Sequence, residues 1–344
     1  MSRYYEICGC IHIHFPIKWG DDGLDFLGGE ANKAGLDFIV ITNHTYKKDV
    51  NKLNNIFKGE GYYGKSLVLI GEEVHDSLKK NHILIIGKKG LIHGEESFSK
   101  TIEELKKQDI LSFIAHPDGY HRLVLKKKDY RWSMGEIEEI KGIEVWSLLF
   151  SWAYLTNPFN LPIRYFGFPY NIKGPSKYNL SFFDKLSLRR KIVGIAGLDI
   201  HALPFPSLDI RHVFRYKNVF KILRNHIFIQ QPLSGNFEID KEVVLTGLKK
   251  GNLFFANDFL KESKGFYFGG VERNFLIGDT AYVGEKVKIL LPIKAKTILI
   301  RNGKILWIDE IKEKNFILSE KGNYRVEVFI GKNPWIFSNH IYVV

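Results

Sequence analysis

Residues 8–15 read Cys-Gly-Cys-Ile-His-Ile-His-Phe, an alternating apolar run that sets His12 and His14 two positions apart. Side chains of a strand alternate between faces, so this spacing predicts a β-strand presenting both imidazoles on one side. The arrangement recurs downstream. His44 closes FIVITNH, Glu73 lies in VLIGEEV, His82 opens HILIIG, His116 closes LSFIAHP, and Asp199 and His201 follow IVGIAG. Each metal-type side chain begins or ends a short apolar run, and polar, helix-like stretches separate the runs. Such alternation is the pattern of βα units, and where parallel strands close into a barrel the functional side chains collect at strand ends. Imidazole nitrogen with carboxylate oxygen suits divalent zinc, manganese or iron, and a carboxylate can bridge two such ions.

With 344 residues, 45% of them hydrophobic and 14% aromatic, the chain can bury a large core and carry a second module. No apolar run approaches the ~18–20 residues of a membrane span, and MSRYYEICGC at the start lacks a signal-peptide pattern. A cytoplasmic location with no membrane partner is therefore expected. Cys8 and Cys10 are the chain's two cysteines, which excludes a disulfide framework. Alternation puts both on the histidine face, either as a thiolate ligand or, the preferred reading, as small interior filler. The formal charge of +12 gives weak support to an anionic substrate, and runs such as Lys126-Lys127-Lys128 read as solvated surface. Without a basic stripe interleaved with aromatics, nucleic acid is not the expected partner. Nothing in the sequence sets an oligomeric state.

Strand and helix alternate to about Phe214, with residues 23–34 and 101–108 helical, the latter capped by Ser99 or Thr101. Residues 148–187 break the rhythm. They carry Trp152, Tyr154, Phe159, Tyr165, Phe166, Phe168 and Tyr170 among several prolines, as expected of an insertion beside the pocket that could act as a flap. Residues 240–250 return to a helical pattern, with Gly251 as C-cap. After Phe266 the period falls to two, and Asn302-Gly303 marks a hairpin turn. The expected division is residues 1–264 as an α/β unit and 265–344 as a small all-β, sandwich-like domain, with Trp307 and Trp335 in its core.

Taken in order, HIH at 12–14, GLDFIVITNH at 35–44, GEE at 71–73, NHILIIG at 81–87, AHP at 115–117, GIEV at 142–145 and GLDIH at 197–201 resemble the polymerase and histidinol phosphatase (PHP) superfamily. The likeness is greatest to its free-standing metallohydrolases related to carbaryl hydrolase, and it covers roughly residues 5 to 215. It implies an irregular seven-stranded β/α barrel with two or three divalent ions (manganese, zinc or iron). The implied ligands are His12, His14, His44, Glu73, His82, His116, Asp199 and His201, with Glu73 bridging. Glu72 would point the other way on a strand. Two positions depart from the pattern. Asn43 stands where the family often has an aspartate that could orient an imidazole. Its Ser-Asp-Gly is missing, so Asp22 is the remaining candidate ligand; Asp21 competes, and either could instead cap the following helix.

The chemistry this resemblance implies is hydrolysis of a small anionic phosphoester by a metal-bridging hydroxide, with Glu73, Asp199 and His201 in catalytic positions. His201 or a metal-bound water would protonate the leaving group, and Arg164, Arg189 or Arg190 would grip a phosphate. Hydrolysis of a carboxylic ester, carbamate or amide at the same metal site is the alternative, followed by a nucleic-acid-processing accessory role. Glu144 is left between an outer position at the site and a buried structural carboxylate. Among His75, His93, His121, His212, His226 and His340, which match no motif, His121 lies best for a part in the site.

Overall fold

The computed structural model describes residues 4–45, 50–88, 98–121, 128–201 and 214–344. His93, His212 and most of the lysine run at 126–128 lie outside the described residues.

The strand Tyr5–Ile13 is central. It pairs in parallel with Phe38–Ile41 and antiparallel with Leu223–Ile229. Phe38–Ile41 pairs in parallel with Ser66–Ile70. On the other side, Leu223–Ile229 pairs with Leu253–Asn257, which pairs in turn with Asn333–Ser338 and so continues into the C-terminal strands. These strands form one thirteen-stranded sheet. A five-stranded sheet faces it, ordered Val193–Gly197, Gly142–Ser147, Leu111–Ile114, His82–Ile86, Glu72–His75.

The expected closed barrel is corrected by this topology: the fold is mixed α/β, with two open sheets. Isolated bridges join them at His44–Glu73 and Ile13–Ile200. Two local features explain the difference. VLIGEEV is not one strand, because the chain passes from one sheet to the other at Gly71. There a side chain is impossible, since a Cβ would lie 2.3 Å from the Ile85 carbonyl oxygen. Next, HDSLKKN is a tight turn instead of a helical crossover. The Asp76 carboxylate accepts from Lys80 N (2.8 Å) and Asn81 Nδ2 (2.6 Å), and Lys79 takes φ 54°. Glu72–His75 and His82–Ile86 are therefore antiparallel.

The helices follow the apolar pattern with shifted ends. Gly20–Lys33 buries Leu24, Leu27 and Ala31, Phe98–Lys107 buries Phe98, Thr101 and Leu105, and Phe237–Lys250 ends at Gly251 with φ 72°, as its cap position requires. Ser99 and Thr101 lie within their helix, so neither caps it. The insertion folds into three short helices, Leu148–Ala153, Leu161–Phe166 and Lys177–Ser187.

From Phe266 on, the described chain is strands and turns, with the hairpin at Asn302-Gly303 as expected. The strands continue the thirteen-stranded sheet. Their core, around Phe268, Tyr324 and Trp335, includes Phe228 and Phe254 from the site-bearing half. They also buttress a site strand: Asn339 Oδ1 accepts from Gly194 N (2.7 Å) and its Nδ2 donates to Gly194 O (2.8 Å). Among the described residues, no helix is long and apolar enough to cross a membrane.

Candidate metal centre

The site forms where the two sheets meet. Glu73, fully buried, sits in the middle with a different set of histidines at each oxygen. Its Oε2 lies 3.3 Å from His12 Nε2, 3.2 Å from His14 Nε2 and 3.1 Å from His44 Nδ1. Its Oε1 lies 2.6 Å from His82 Nδ1 and 3.1 Å from His116 Nε2. Asp199 Oδ1 stands 3.6 Å from His12 Nε2 and 3.5 Å from His14 Nε2. The His201 ring stacks on that of His14, with centroids 4.0 Å apart.

Backbone strain delivers three of these side chains. His12, His116 and Asp199 take φ of 66°, 28° and 49°, left-handed values that residues with a Cβ seldom adopt and that cluster at functional sites. His12 also lies where the pairing of Tyr5–Ile13 with Phe38–Ile41 slips register. The two rings still converge, 5.1 Å apart.

Of the nine expected ligands, the structure gathers His12, His14, His44, Glu73, His82, His116, Asp199 and His201. Asp22 is not among them. It is exposed in the first turn of Gly20–Lys33, where a negative charge complements the helix dipole. Neither Asp22 nor Asp21 makes a capping hydrogen bond. Glu72 points away and accepts from Thr45 Oγ1 at 2.8 Å. The cysteines stay outside: Cys10 Sγ contacts the Phe220 and Leu223 carbonyls, and burial pushes the Cys8 thiol up to about 12. Asn43 serves the backbone, accepting from Phe15 N at 2.9 Å.

Arg164 is engaged within the insertion. Its guanidinium donates to Asn171 O (2.8 Å), Trp152 O (2.8 Å) and Thr156 Oγ1 (3.2 Å), stapling the insertion to itself. Arg189 and Arg190 both pair with Glu136.

Two further residues belong to the surroundings of the site. Glu144 Oε2 lies 2.7 Å from His12 Nδ1, which fixes that ring with Nε2 toward Glu73. Its carboxylate fills the space a Cβ at Gly197 would occupy, at 2.5 Å. The His75 ring lies 5.9 Å from that of His44 and 5.5 Å from that of His82. Alternation from Glu73 could have flagged His75, which is two residues further along the same strand. His121 stays in an outer layer, 6.1 Å from the Tyr130 ring, which in turn lies 5.4 Å from His82.

The electrostatics favour a cation. Burial opposes charge on Glu73, yet His44, His12 and His82 hold its carboxyl well below the usual range. Asp199 is lowered in the same way, mainly by His12 and His14. Burial pulls His44 down to about 3, so it offers a lone pair at neutral pH. For His12, burial is outweighed by Glu144, Glu73 and Asp199, which raise it well above its ordinary value. The buried His12 Nε2, His14 Nε2 and Glu73 Oε2 have no hydrogen-bond partner among the described residues. Buried polar atoms are costly when unpaired, and here they face one another. Three groups have ligand atoms within 4.8 Å of one another: His12, His14, Glu73 and Asp199; His44, Glu73 and His82; His14, His44 and His201. This donor set fits divalent transition metals.

Fold and site together define a mixed α/β protein with a buried histidine–carboxylate cluster able to hold metal ions. No family model and no curated protein matches the chain. Among solved structures, it aligns with a two-domain protein from Bacteroides vulgatus containing a predicted PHP-like metal-dependent phosphoesterase. The two are 14% identical over 98% of this chain and 96% of that chain, with a TM-score of 0.46.

Proposed function

We propose that this protein is a metal-dependent hydrolase of the PHP type, acting on phosphoesters. The observation that carries the reading is Glu73, whose two oxygens each face a separate group of histidines, as a carboxylate shared between two cations requires. His12, His14 and Asp199 with Glu73 would hold one ion and His44 and His82 with Glu73 a second, while the grouping of His14, His44 and His201 draws on two of the same ligands and is an alternative to these. Bound divalent ions would acidify a water and offset the charge developing on the phosphoryl oxygens.

The chain's own groups supply the rest. Glu144 keeps His12 in one orientation. Phe150, its ring 4.6 Å from that of His116, walls the cluster on one side. The His201 side chain is 48% exposed, with its ring stacked on that of His14. It can take the proton from the attacking water as the new P–O bond forms and return it to the leaving alcohol oxygen as the old P–O bond breaks.

The test is elemental analysis of anaerobically purified protein, paired with phosphomonoester, phosphodiester and carboxylic ester substrates. Two or three ions per chain, lost in Glu73→Ala, with phosphoester turnover, are expected. Esterase activity without phosphatase activity would shift the reading to a carboxylic ester or carbamate hydrolase, and failure to take up manganese, zinc or ferrous iron would end it.

A further inference from the structure

We propose that the groove built by the insertion beside the metal centre binds the leaving group of the substrate, an alcohol bearing a planar ring and at least one further negative charge. This rests on the hydrolase reading above and names the substrate class it leaves open.

The groove encloses about 1230 Å³, far more than a phosphate needs and ample for a small organic ligand. It lies along the strand ends that carry the site. Lys80 precedes His82 by two residues, Asp118 follows His116 by two, and Ser147 ends the Glu144 strand; all three line it. Phe150 links the groove to the cluster, lining the groove while its ring packs on that of His116. Antiparallel pairing of Tyr120–His121 with Lys128–Asp129 brings Tyr120 and Asp129 together in the groove lining. Tyr120 and Arg131 line the groove, whereas the Tyr130 ring packs toward His82 and His116.

The groove's own chemistry points to a ring and an anion. Tyr120 and Tyr154 meet edge to face, with centroids 6.2 Å apart, and the Arg131 guanidinium lies 5.7 Å from the Tyr120 centroid. Tyr154 and Tyr178 are 59% and 53% exposed, leaving aromatic surface for a planar partner. The local acids are engaged: Asp129 by Arg131, at 2.6 Å, and Asp118 by Asn179 Nδ2, at 2.8 Å. Lys80 and Arg131 both act on Asp129, and Lys173 has no carboxylate partner among the described residues, so three cationic side chains against two carboxylates leave the groove favouring added negative charge.

The experiment compares kcat/KM of the metal-loaded enzyme for 4-carboxybenzyl phosphate, benzyl phosphate and glycerol 2-phosphate, whose leaving alcohols are of similar acidity. Alongside it, a change in the protein's intrinsic tryptophan fluorescence on adding 4-carboxybenzylphosphonate reports binding with and without metal, Trp132 being the tryptophan that lines the groove. A preference of about tenfold for the charged aryl ester over glycerol 2-phosphate is expected, the size of a good aromatic or ionic contact. That ratio should fall toward unity in Tyr154→Ala, and the advantage of carboxybenzyl over benzyl should shrink in Lys173→Ala. Equal turnover of all three esters, unchanged in ratio by either variant, would overturn the groove assignment and leave the hydrolase reading standing. Saturable phosphonate binding that Tyr154→Ala weakens, with no ester turned over, would support the groove site while removing the phosphoesterase. Neither turnover nor binding would remove both.

Discussion

At the scale of single residues, the site depends on side chains whose effect passes through a neighbour. Glu144 orients His12 and is itself seated by the bare backbone of Gly197. Gly197→Ala would drive a methyl group into that carboxylate. We expect about 1–3 kcal/mol of destabilisation from overpacking together with a loss of bound metal, read by denaturant titration and elemental analysis. Histidines outside the site play a different part. Ser263, His226 and Glu6 approach one another like a catalytic triad, with His226 at 3.1 Å from Ser263 Oγ and 2.8 Å from Glu6 Oε1. Ser263 is fully buried, however, so substrate has no access to it. Burial disfavours charge on His226, but Asp258 and Glu6 outweigh it and raise the imidazole to about 9. A folded pKa raised from 6.5 contributes stability that is complete below pH 6.5 and lost as pH rises through about 9. Unfolding free energy should therefore drop by up to about 3 kcal/mol over that window, and His226→Gln should flatten the decline.

Elements were legible where one local pattern governed them and not where the chain changed sheet. The apolar alternation of residues 8–15, the helix before Gly251 and the Asn302-Gly303 hairpin all followed from periodicity and turn chemistry. The break at Gly71 and the Asp76–Asn81 turn did not, because both depend on how closely two strands approach. The insertion shows the same division. Its aromatic content announced an irregular excursion, but Arg164 became its internal staple through three acceptors that only the folded chain brings together. Arg164→Lys retains the charge and loses the forked geometry. It should cost roughly 2–3 kcal/mol of local stability and open residues 154–171 to limited proteolysis. A rise in KM with unchanged proteolysis would instead restore a substrate-gripping role.

On the scale of the whole molecule, the C-terminal strands are part of the scaffold that aims the site. The Arg325 guanidinium reaches Asp184 of the insertion through Nε (2.6 Å) and Nη2 (2.8 Å), and His340 Nε2 lies 3.1 Å from the same carboxylate. Leu253–Asn257 would become an open sheet edge without Asn333–Ser338, and Phe228 and Phe254 would lose their cover. Residues 1–264 expressed alone should accordingly aggregate or lack cooperative unfolding, as measured by size-exclusion chromatography and thermal melts. A monomeric, metal-binding fragment with a sharp melt would show that the site-bearing half folds independently.

The sequence by itself determined that apolar strands end in metal-type side chains, that Glu72 and Glu73 face opposite ways on a strand, and that an aromatic excursion and a β-rich tail follow. Those properties are local: they depend on alternation, spacing and side-chain chemistry. Tertiary structure decided that the sheets remain open, that Asp22 is exposed in the first turn of a helix, that Arg164 meets three acceptors within the insertion, and that Glu144 and His75 join the surroundings of the site. It also set the left-handed backbone at His12, His116 and Asp199. These outcomes depend on distances between segments far apart in the chain, where close approach and the pairing of buried polar atoms, not periodicity, select the arrangement.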